Sequence, residues 1–259
     1  MIQVTNAFGT RAVRVIGAGA YVPPHAITNA QITDAIPGWT ADWIAEKTEI
    51  RERRFLWALD AQAGVTVAPP ATDTGPACNT DMCEMALRRA IEMAGIEGSE
   101  IDAVFVVTCT PDRVNFSYDA MEVHRRLGCR PDAYALMIDD GCGGTPYIID
   151  MVYKMIRSGA IGTAAIIGSA FTSALVDREV WTGDVESTPG RKRLPAAFGA
   201  YVFGDGAGAV ILRGDGKPGE GILSSFSGND YQQLVVRRAG GLEARMRGDI
   251  NPADAAFVV

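Results

Sequence analysis

The sequence predicts an α/β fold in which helices cover both faces of a mostly parallel sheet. Residues 102–109 and 162–169 are continuous apolar runs, as expected of strands buried inside a parallel sheet. Residues 79–95 place apolar side chains three to four positions apart, which indicates a helix. Because such strands and helices alternate along the chain, the predicted class is α/β.

The chain before residue 50 is predicted to form a strand and two short helices. Residues 12–17 are an apolar run typical of a strand. Thr28 or Asn29 caps the first helix, and Thr40 caps a second helix over residues 41–48.

Residues 50–57 are predicted to be extended and to hold a basic cluster. This cluster consists of Arg51, Arg53 and Arg54. The sequence favours neither a solvated surface nor a ligand-binding surface as its interpretation. Residues 58–77 have no periodicity and form the longest predicted loop, a length typical of functional or mobile segments. Further along, residues 135–138 predict a buried strand, residues 201–213 a glycine turn leading into a strand, and residues 221–226 a weaker strand.

The most informative stretch places one cysteine where a strand turns into a helix. Cys142 lies between Gly141 and the pair Gly143 and Gly144, and a helix follows over residues 145–157. The unpaired N–H groups and the positive dipole end of a helix N-terminus favour the thiolate, which is the nucleophilic form. Glycines at this turn allow a substrate carbonyl to approach the backbone closely. Cys142 is therefore the candidate nucleophile.

The remaining cysteines give no second chemical motif. The total of five is odd, and the chain has no C-x-x-C pair of the kind found in zinc ribbons or thioredoxins. No metal site is therefore predicted. Cys83 and Cys109 are predicted to be core residues, because one lies in a helix and the other ends an apolar strand.

Composition and charge exclude several classes of protein. The 259 residues carry a formal net charge of −7, which argues against a general nucleic-acid binder. The first ten residues lack the pattern of a signal peptide, and no apolar run is long enough to span a membrane. A cytoplasmic location is expected.

No familiar phosphate-binding or acid–base motif accompanies Cys142. Residues 17–19 lack the third glycine of a dinucleotide fingerprint, and the glycine turn at 204–208 precedes a strand rather than a helix. The two histidines, His25 and His124, are predicted to be structural or surface residues. A cysteine nucleophile that also transfers protons usually needs a histidine or an equivalent base.

A series of short motifs occurs in order along nearly the whole chain. They lie at residues 17–23 with 28–29, 42–44 with 47–48, 50–53, 90–95, 110–112, 141–144, 168–169 and 203–209. In this combination the sequence resembles the β-ketoacyl-acyl carrier protein synthase III branch of the thiolase superfamily. The resemblance implies a thiolase fold with αβαβα layers and two similar halves, usually in a homodimer. Residues 1–215 would form the first half, and residues 216–259 would begin a second half that is incomplete in this chain.

The resemblance also assigns roles to individual residues. It implies that Cys142 attacks an acyl thioester and becomes acylated. Trp43 and Lys47 match positions at the mouth for coenzyme A, and Arg178 is a further substrate contact. Phe116 falls near a residue that lines the acyl pocket across the dimer. The turn glycines at the oxyanion site are Gly141, Gly143 and Gly144.

Three departures from the family pattern qualify this picture. Asp139 and Asp140 stand where small apolar residues are usual, and a carboxylate beside the cysteine opposes thiolate formation unless it is paired or points away. Glu49 stands where the family usually has glycine. The family's catalytic histidine and asparagine lie in the second half, in a segment expected beyond residue 259.

The predicted function is an acyl-thioester condensing enzyme or acyltransferase. An acyl group would pass from acyl-CoA or acyl carrier protein to Cys142, and then to a malonyl-type thioester or another acceptor, without a separate cofactor. The alternative is a subunit of a split or heteromeric thiolase-like assembly, with the histidine and asparagine on a partner chain. A third expectation, compatible with the first, is that the sequence is part of a longer polypeptide.

Overall fold

The computed structural model describes residues 11–72, 74–113, 116–178 and 198–228, together with the pairs 236–237 and 257–258. Its elements in chain order are β1 (Ala12–Tyr21), β2 (His25–Thr28), α1 (Asn29–Ala35), α2 (Ala41–Thr48), β3 (Glu52–Phe55), β4 (Ala58–Asp60), β5 (Val65–Val67), α3 (Asn79–Ala94), β6 (Ala103–Val107), α4 (Asp119–Arg126), β7 (Tyr134–Ile138), α5 (Gly144–Ser158), β8 (Thr163–Ala170), α6 (Phe198–Val202), β9 (Gly206–Gly216), β10 (Val236–Arg237) and β11 (Phe257–Val258).

The chain divides into two compact units. Unit 1 consists of Met1–Val22, Cys78–Ala170 and Gly206–Gly228, and unit 2 consists of Pro23–Ala77, Phe171–Asp205 and Asn229–Val259. The predicted division into residues 1–215 and 216–259 stays a prediction. Among the described helices, none is long and apolar enough to cross a membrane.

Unit 1 is built on one sheet with the strand order β1-β9-β8-β6-β7. Strand β6 runs parallel to both β7 and β8, whereas β9 runs antiparallel to β8 and to β1. The α/β class is as predicted, but the expectation of a mostly parallel sheet is wrong, since two of these four pairings are antiparallel. An apolar run carries no information on strand direction.

Both faces of the sheet are covered at its centre. All five residues of β6 are buried, and successive side chains of a strand point to opposite faces. Phe105 and Val107 pack with Ile148, Val152 and Ile156 of α5, so α5 covers one face. The alternate residues of β6 are equally buried on the other face, where α3 contacts β1, β8 and β9.

Strand β7 lies at the edge of the sheet. Tyr134 is 55% exposed and Leu136 is 50% exposed, although both belong to an apolar run. The prediction of a buried strand over residues 135–138 is therefore right about the strand and wrong about its burial. Its position at the edge leaves one long side of β7 without a strand partner in the described sheet.

Unit 2 packs two short helices and two two-stranded sheets, β2–β3 and β4–β5, around Tyr201. Thr28 caps α1 in a capping box with Gln31, and Thr40 caps α2, as the sequence predicts. Helix α2 ends on Glu49, which has a left-handed φ of 60°. The buried core of the unit consists of Ile27, Ile32, Ala35, Ile36, Ile44, Phe55, Val176, Ala200 and Tyr201.

Two predicted segments of irregular or weak structure come out differently. The predicted loop over residues 58–77 contains the hairpin of β4 and β5, in which Ala58 pairs with Val67. The predicted strand over residues 221–226 is wrong, because only Ile222 forms an isolated bridge, with Val13.

The basic cluster on β3 is split by the alternation of the strand. Arg51 and Arg54 are exposed, whereas Arg53 is only 4% exposed. Arg53 donates hydrogen bonds to the Ile27 carbonyl, the Asn29 Oδ1 and the Tyr201 carbonyl at 3.0, 2.6 and 2.5 Å. Its burial lowers the pKa of the guanidinium to about 10. Arg53 therefore joins three segments of unit 2 and is not part of a solvated face.

Candidate active site

Cys142 lies in a single 3-10 turn, Gly141–Gly143, between the end of β7 and the start of α5. Gly141 adopts a left-handed φ of 51°, which is easily reached only by glycine. Cys142 itself is exposed. The predicted strand, turn and helix are thus present, and the thiol stands free of the core at the N-terminal end of a 15-residue helix.

A close approach of backbone to sheet fixes the position of this turn. A Cβ on Gly144 would lie 2.5 Å from Val107 Cγ1, so α5 begins directly against the end of β6. A Cβ on Gly168 would lie 2.9 Å from Thr145 Oγ1, so Thr145, the next residue of α5, lies directly against β8. Glycines at both places are required by space, and they hold the Cys142 turn at the edge where the parallel strands end.

The carboxylates of Asp139 and Asp140 are both exposed. Solvent and salt screen exposed charges far more effectively than buried ones. The expected opposition of these carboxylates to thiolate formation at Cys142 stays a prediction.

The cysteines divide by their surroundings. Burial raises the pKa of the Cys83 thiol to about 12 and that of Cys129 to about 11, and it also raises the pKa of Cys78. Cys109 is exposed, so its assignment to the core is wrong. The apolar run ends at Val107 within β6, and Cys109 lies in the loop that follows.

The two histidines of the chain differ in their surroundings, and neither is an evident base for Cys142. His124 Nε2 lies 2.8 Å from the Arg130 carbonyl oxygen, which gives the ring a structural contact. His25 is exposed on β2 in unit 2.

Phe116 follows β6 in the loop before α4, so it stands at the same edge of the sheet as the Cys142 turn. It is 84% exposed and has a φ of 51°, a conformation that is uncommon for residues other than glycine. An exposed apolar ring on a left-handed backbone is a candidate for contact with a ligand or a second molecule.

A polar network that sequence reasoning missed anchors both ends of the Phe116 loop. Asp112 accepts hydrogen bonds from the main-chain N–H groups of Asn79 and Thr80 at 2.6 and 3.1 Å. Asp119 accepts from Asn79 Nδ2 at 2.7 Å and from Ser117 Oγ at 2.7 Å. Nothing in the spacing of these residues signals the contacts, because they join α3 to a loop more than thirty residues away.

The other predicted substrate contacts lie in unit 2. Trp43 and Lys47 are four residues apart on α2, and residues at this spacing share one face of a helix. Trp43 is 39% exposed, and the Lys47 ammonium forms an ion pair with Glu46. Trp39, to which no sequence motif assigns a role, lies with its ring centroid 3.9 Å from that of Trp43.

The guanidinium of Arg178 is occupied by main-chain carbonyls of unit 2. Its Nε donates to the Ala35 oxygen at 2.6 Å, and its terminal nitrogens donate to the Ala61 and Gln62 oxygens at 2.9 and 3.2 Å. These bonds tie α1 to the β4–β5 hairpin. They give Arg178 a structural role, and its predicted contact with substrate stays a prediction.

Comparisons with known proteins agree with this picture. Residues 138–230 match the family described as 3-Oxoacyl-[acyl-carrier-protein (ACP)] synthase III. The chain is 36% identical over 225 residues to the β-ketoacyl-[acyl-carrier-protein] synthase III of Alkalilimnicola ehrlichii, an alignment that covers 86% of this chain and 58% of the relative. It is 34% identical over 231 residues to the protein of the same name from Paramagnetospirillum magneticum, with 86% and 60% covered.

A solved structure supports the predicted fold. The 3-oxoacyl-[acyl-carrier-protein] synthase III of Aquifex aeolicus superimposes with a TM-score of 0.57 at 26% identity, over 78% of this chain and 54% of that chain. The predicted thiolase fold and the resemblance to this branch are confirmed. The chain spans about 58–60% of the length of these curated relatives.

Proposed function

Since the chain is related to the β-ketoacyl-[acyl-carrier-protein] synthase III proteins, we propose that it takes part in acyl-thioester condensation through Cys142. The acyl group comes from acyl-CoA or an acyl carrier protein and is then passed to a malonyl-type thioester or another acceptor. The observation that carries the proposal is the exposed thiol of Cys142 in a glycine turn at the start of α5.

The acylation step needs few groups from the protein. The Cys142 thiolate attacks the thioester carbonyl, the carbon–sulfur bond of the donor breaks, and the donor leaves as a thiolate that takes up a proton from solvent. The Cys142 N–H supplies one donor of the oxyanion hole. Glycines beside the cysteine leave room for the acyl carbonyl. The only organic group required is the coenzyme A or phosphopantetheine of the thioester itself.

We assign the remaining predicted residues as substrate contacts of unequal strength. Trp43 presents a partly exposed ring and Lys47 a cation on one face of α2, a combination suited to the nucleotide end of coenzyme A. Phe116 lines the acyl pocket of a second copy in a homodimer, a role that suits its exposure. Arg178 is the weakest assignment, because its guanidinium already donates to several carbonyls.

The homodimer is proposed to form through the sheet of unit 1. Unpaired edge strands are templates for pairing with another chain, and β7 is such an edge with two exposed apolar side chains. Phe116 lies on the neighbouring loop. Analytical ultracentrifugation tests the dimer: Leu136→Lys should shift the mass toward the monomer, and an unchanged dimer would contradict this interface.

Acyl transfer to Cys142 is tested by incubating the protein with a panel of acyl-CoA donors and measuring the intact mass. We expect one acyl increment on the wild type, no increment on Cys142→Ala, and an undiminished increment on Cys109→Ala. Cys109 is the matched control, because it is the other exposed cysteine at the same sheet edge. The same increment on wild type and Cys142→Ala would refute the assignment.

The alternative function is a subunit whose catalytic histidine and asparagine lie on a partner chain. Because His124 already contacts a main-chain carbonyl, it is not an evident base for Cys142, which supports this alternative. Purification from the native host distinguishes the two: a stoichiometric second polypeptide that restores condensation to an acylated Cys142 supports the alternative. Condensation by this polypeptide alone contradicts it.

A further inference from the structure

Three aromatic rings in unit 2 contact one another in a row from the core to the surface. Tyr201 is fully buried, Trp39 is half-buried and Trp43 is 39% exposed. The ring centroids of Tyr201 and Trp39 are 5.5 Å apart, and those of Trp39 and Trp43 are 3.9 Å apart with an interplanar angle of 49°. We call these three residues the aromatic stack.

The inner end of the aromatic stack is held by hydrogen bonds. The Tyr201 hydroxyl donates to the Ile36 carbonyl at 2.7 Å, and the main chain of Trp39 also bonds to this hydroxyl. The Tyr201 carbonyl accepts from Arg53 at 2.5 Å. Both the side chain and the main chain of Tyr201 are therefore fixed, so Trp39 rests on a rigid base.

The outer end of the aromatic stack would be mobile without Trp39. An exposed side chain on a helix surface samples several rotamers, and ordering it on binding a ligand costs about 0.5–1.5 kcal/mol. Trp39 contacts the Trp43 indole at an interplanar angle of 49°, and Trp43 remains 39% exposed. A ligand that stacks on Trp43 then meets a ring whose orientation is already set.

We propose that Trp39 is a positioning residue for the nucleotide end of the acyl donor, acting by holding the Trp43 ring in its binding orientation. A planar heteroaromatic ring with attached phosphates fits this face, because the Trp43 ring offers stacking and Lys47 follows one helical turn later. This inference rests on the proposed function of the site.

The test compares donors with and without a nucleotide. Binding of coenzyme A is measured by titration calorimetry, and Cys142 acylation is measured with an acyl-CoA and with the matching acyl-N-acetylcysteamine thioester. We expect Trp39→Leu to weaken coenzyme A binding and raise the KM for acyl-CoA about five- to tenfold, with kcat retained. Acylation of Trp39→Leu by the nucleotide-free thioester should be unchanged. Trp39→Phe should keep most of the wild-type affinity for coenzyme A.

Controls separate positioning from damage to the fold. Trp57→Phe changes a tryptophan of the same unit that packs edge-on against Phe171, outside the aromatic stack, and it should leave coenzyme A binding unchanged. If Trp39→Leu does not fold, Trp39→Met replaces it, since a thioether fills the space without the indole ring.

Two results would overturn the inference, and neither would contradict the acyl-transfer proposal. One is a Trp39→Leu protein that binds coenzyme A as tightly as the wild type while Trp43→Leu does not. The other is an equal loss with both donors, which would show a general structural role. If instead the wild type accepts an acyl group from neither donor while still binding coenzyme A through Trp43, the acyl-transfer proposal fails and the role of Trp39 in binding stands.

Discussion

Replacing Arg53 with methionine is the most direct test of how unit 2 is held together. The side chain is 4% exposed and donates to three oxygens that belong to β2, α1 and α6. Each acceptor left buried without a donor costs roughly 1–3 kcal/mol. Part of this loss is offset, because the substitution also removes the cost of burying a charged guanidinium. That cost is seen in the lowered pKa of Arg53, about 10. We expect Arg53→Met to lower the free energy of unfolding by about 3 kcal/mol.

Urea unfolding followed by circular dichroism measures this change, with Arg54→Met as the matched control. Arg54 is the next residue of the same strand, is exposed, and reaches the Pro24 carbonyl and Glu52 only at 3.4 and 3.3 Å. Its replacement should change the free energy of unfolding by less than about 0.5 kcal/mol. If the two variants agree within about 1 kcal/mol, the reasoning from buried acceptors is wrong.

Three further predictions concern the backbone, the turn and the response to acid. Glu49→Gly should stabilise the protein by about 1 kcal/mol in the same urea assay, because it removes a left-handed φ of 60° from a residue with a Cβ; a loss of stability would contradict this. Gly143→Ala should leave the melting temperature nearly unchanged, since a Cβ there meets nothing within 4 Å. Gly144→Ala should lower stability by about 1–3 kcal/mol because its Cβ meets Val107, and equal effects of the two changes on stability would refute the packing argument. Burial acts to raise the pKa of Asp102, but Arg130 and two main-chain N–H groups outweigh it and hold the pKa below the usual range. This carboxylate therefore stabilises the fold above about pH 4, and its contribution is lost as the pH falls further. Asp102→Asn should therefore flatten the acid side of the stability–pH profile relative to Asp132→Asn, a carboxylate that also meets Arg130 but whose side chain is 76% exposed, and parallel profiles would count against the assignment.

What the sequence could predict was mostly local. Thr28 and Thr40 cap their helices because a hydroxyl before a helix reaches an N–H two or three residues ahead, which spacing alone reveals. Gly159 ends α5 in a left-handed conformation for an equally local reason. The turn at Cys142 falls in the same class, since its glycines and the helix after it are contiguous in the chain.

What the sequence could not predict depends on partners distant in the chain. The run over residues 135–138 is as apolar as that of β6, yet only the strand order puts β7 at the edge. Arg53 looks like its neighbours Arg51 and Arg54, and its burial depends on a carbonyl 148 positions later. Trp39 meets Tyr201 through a similar long-range contact. These features are set by tertiary packing, which periodicity and composition do not encode.

The pairing of the first strand with the last strand of the sheet has a consequence for how the protein is made. Ala12 of β1 pairs with Gly216 of β9, and β9 is the neighbour through which β1 joins the described sheet. A ribosome produces about 5–20 residues per second, so β1 leaves the exit tunnel roughly ten seconds or more before its partner is synthesised. During that interval its apolar residues have no strand beside them. Loop closure over such a distance is also slow, so the sheet of unit 1 is completed late. A chaperone that covers apolar segments of the nascent chain should therefore raise the yield of folded protein more than one that acts after release.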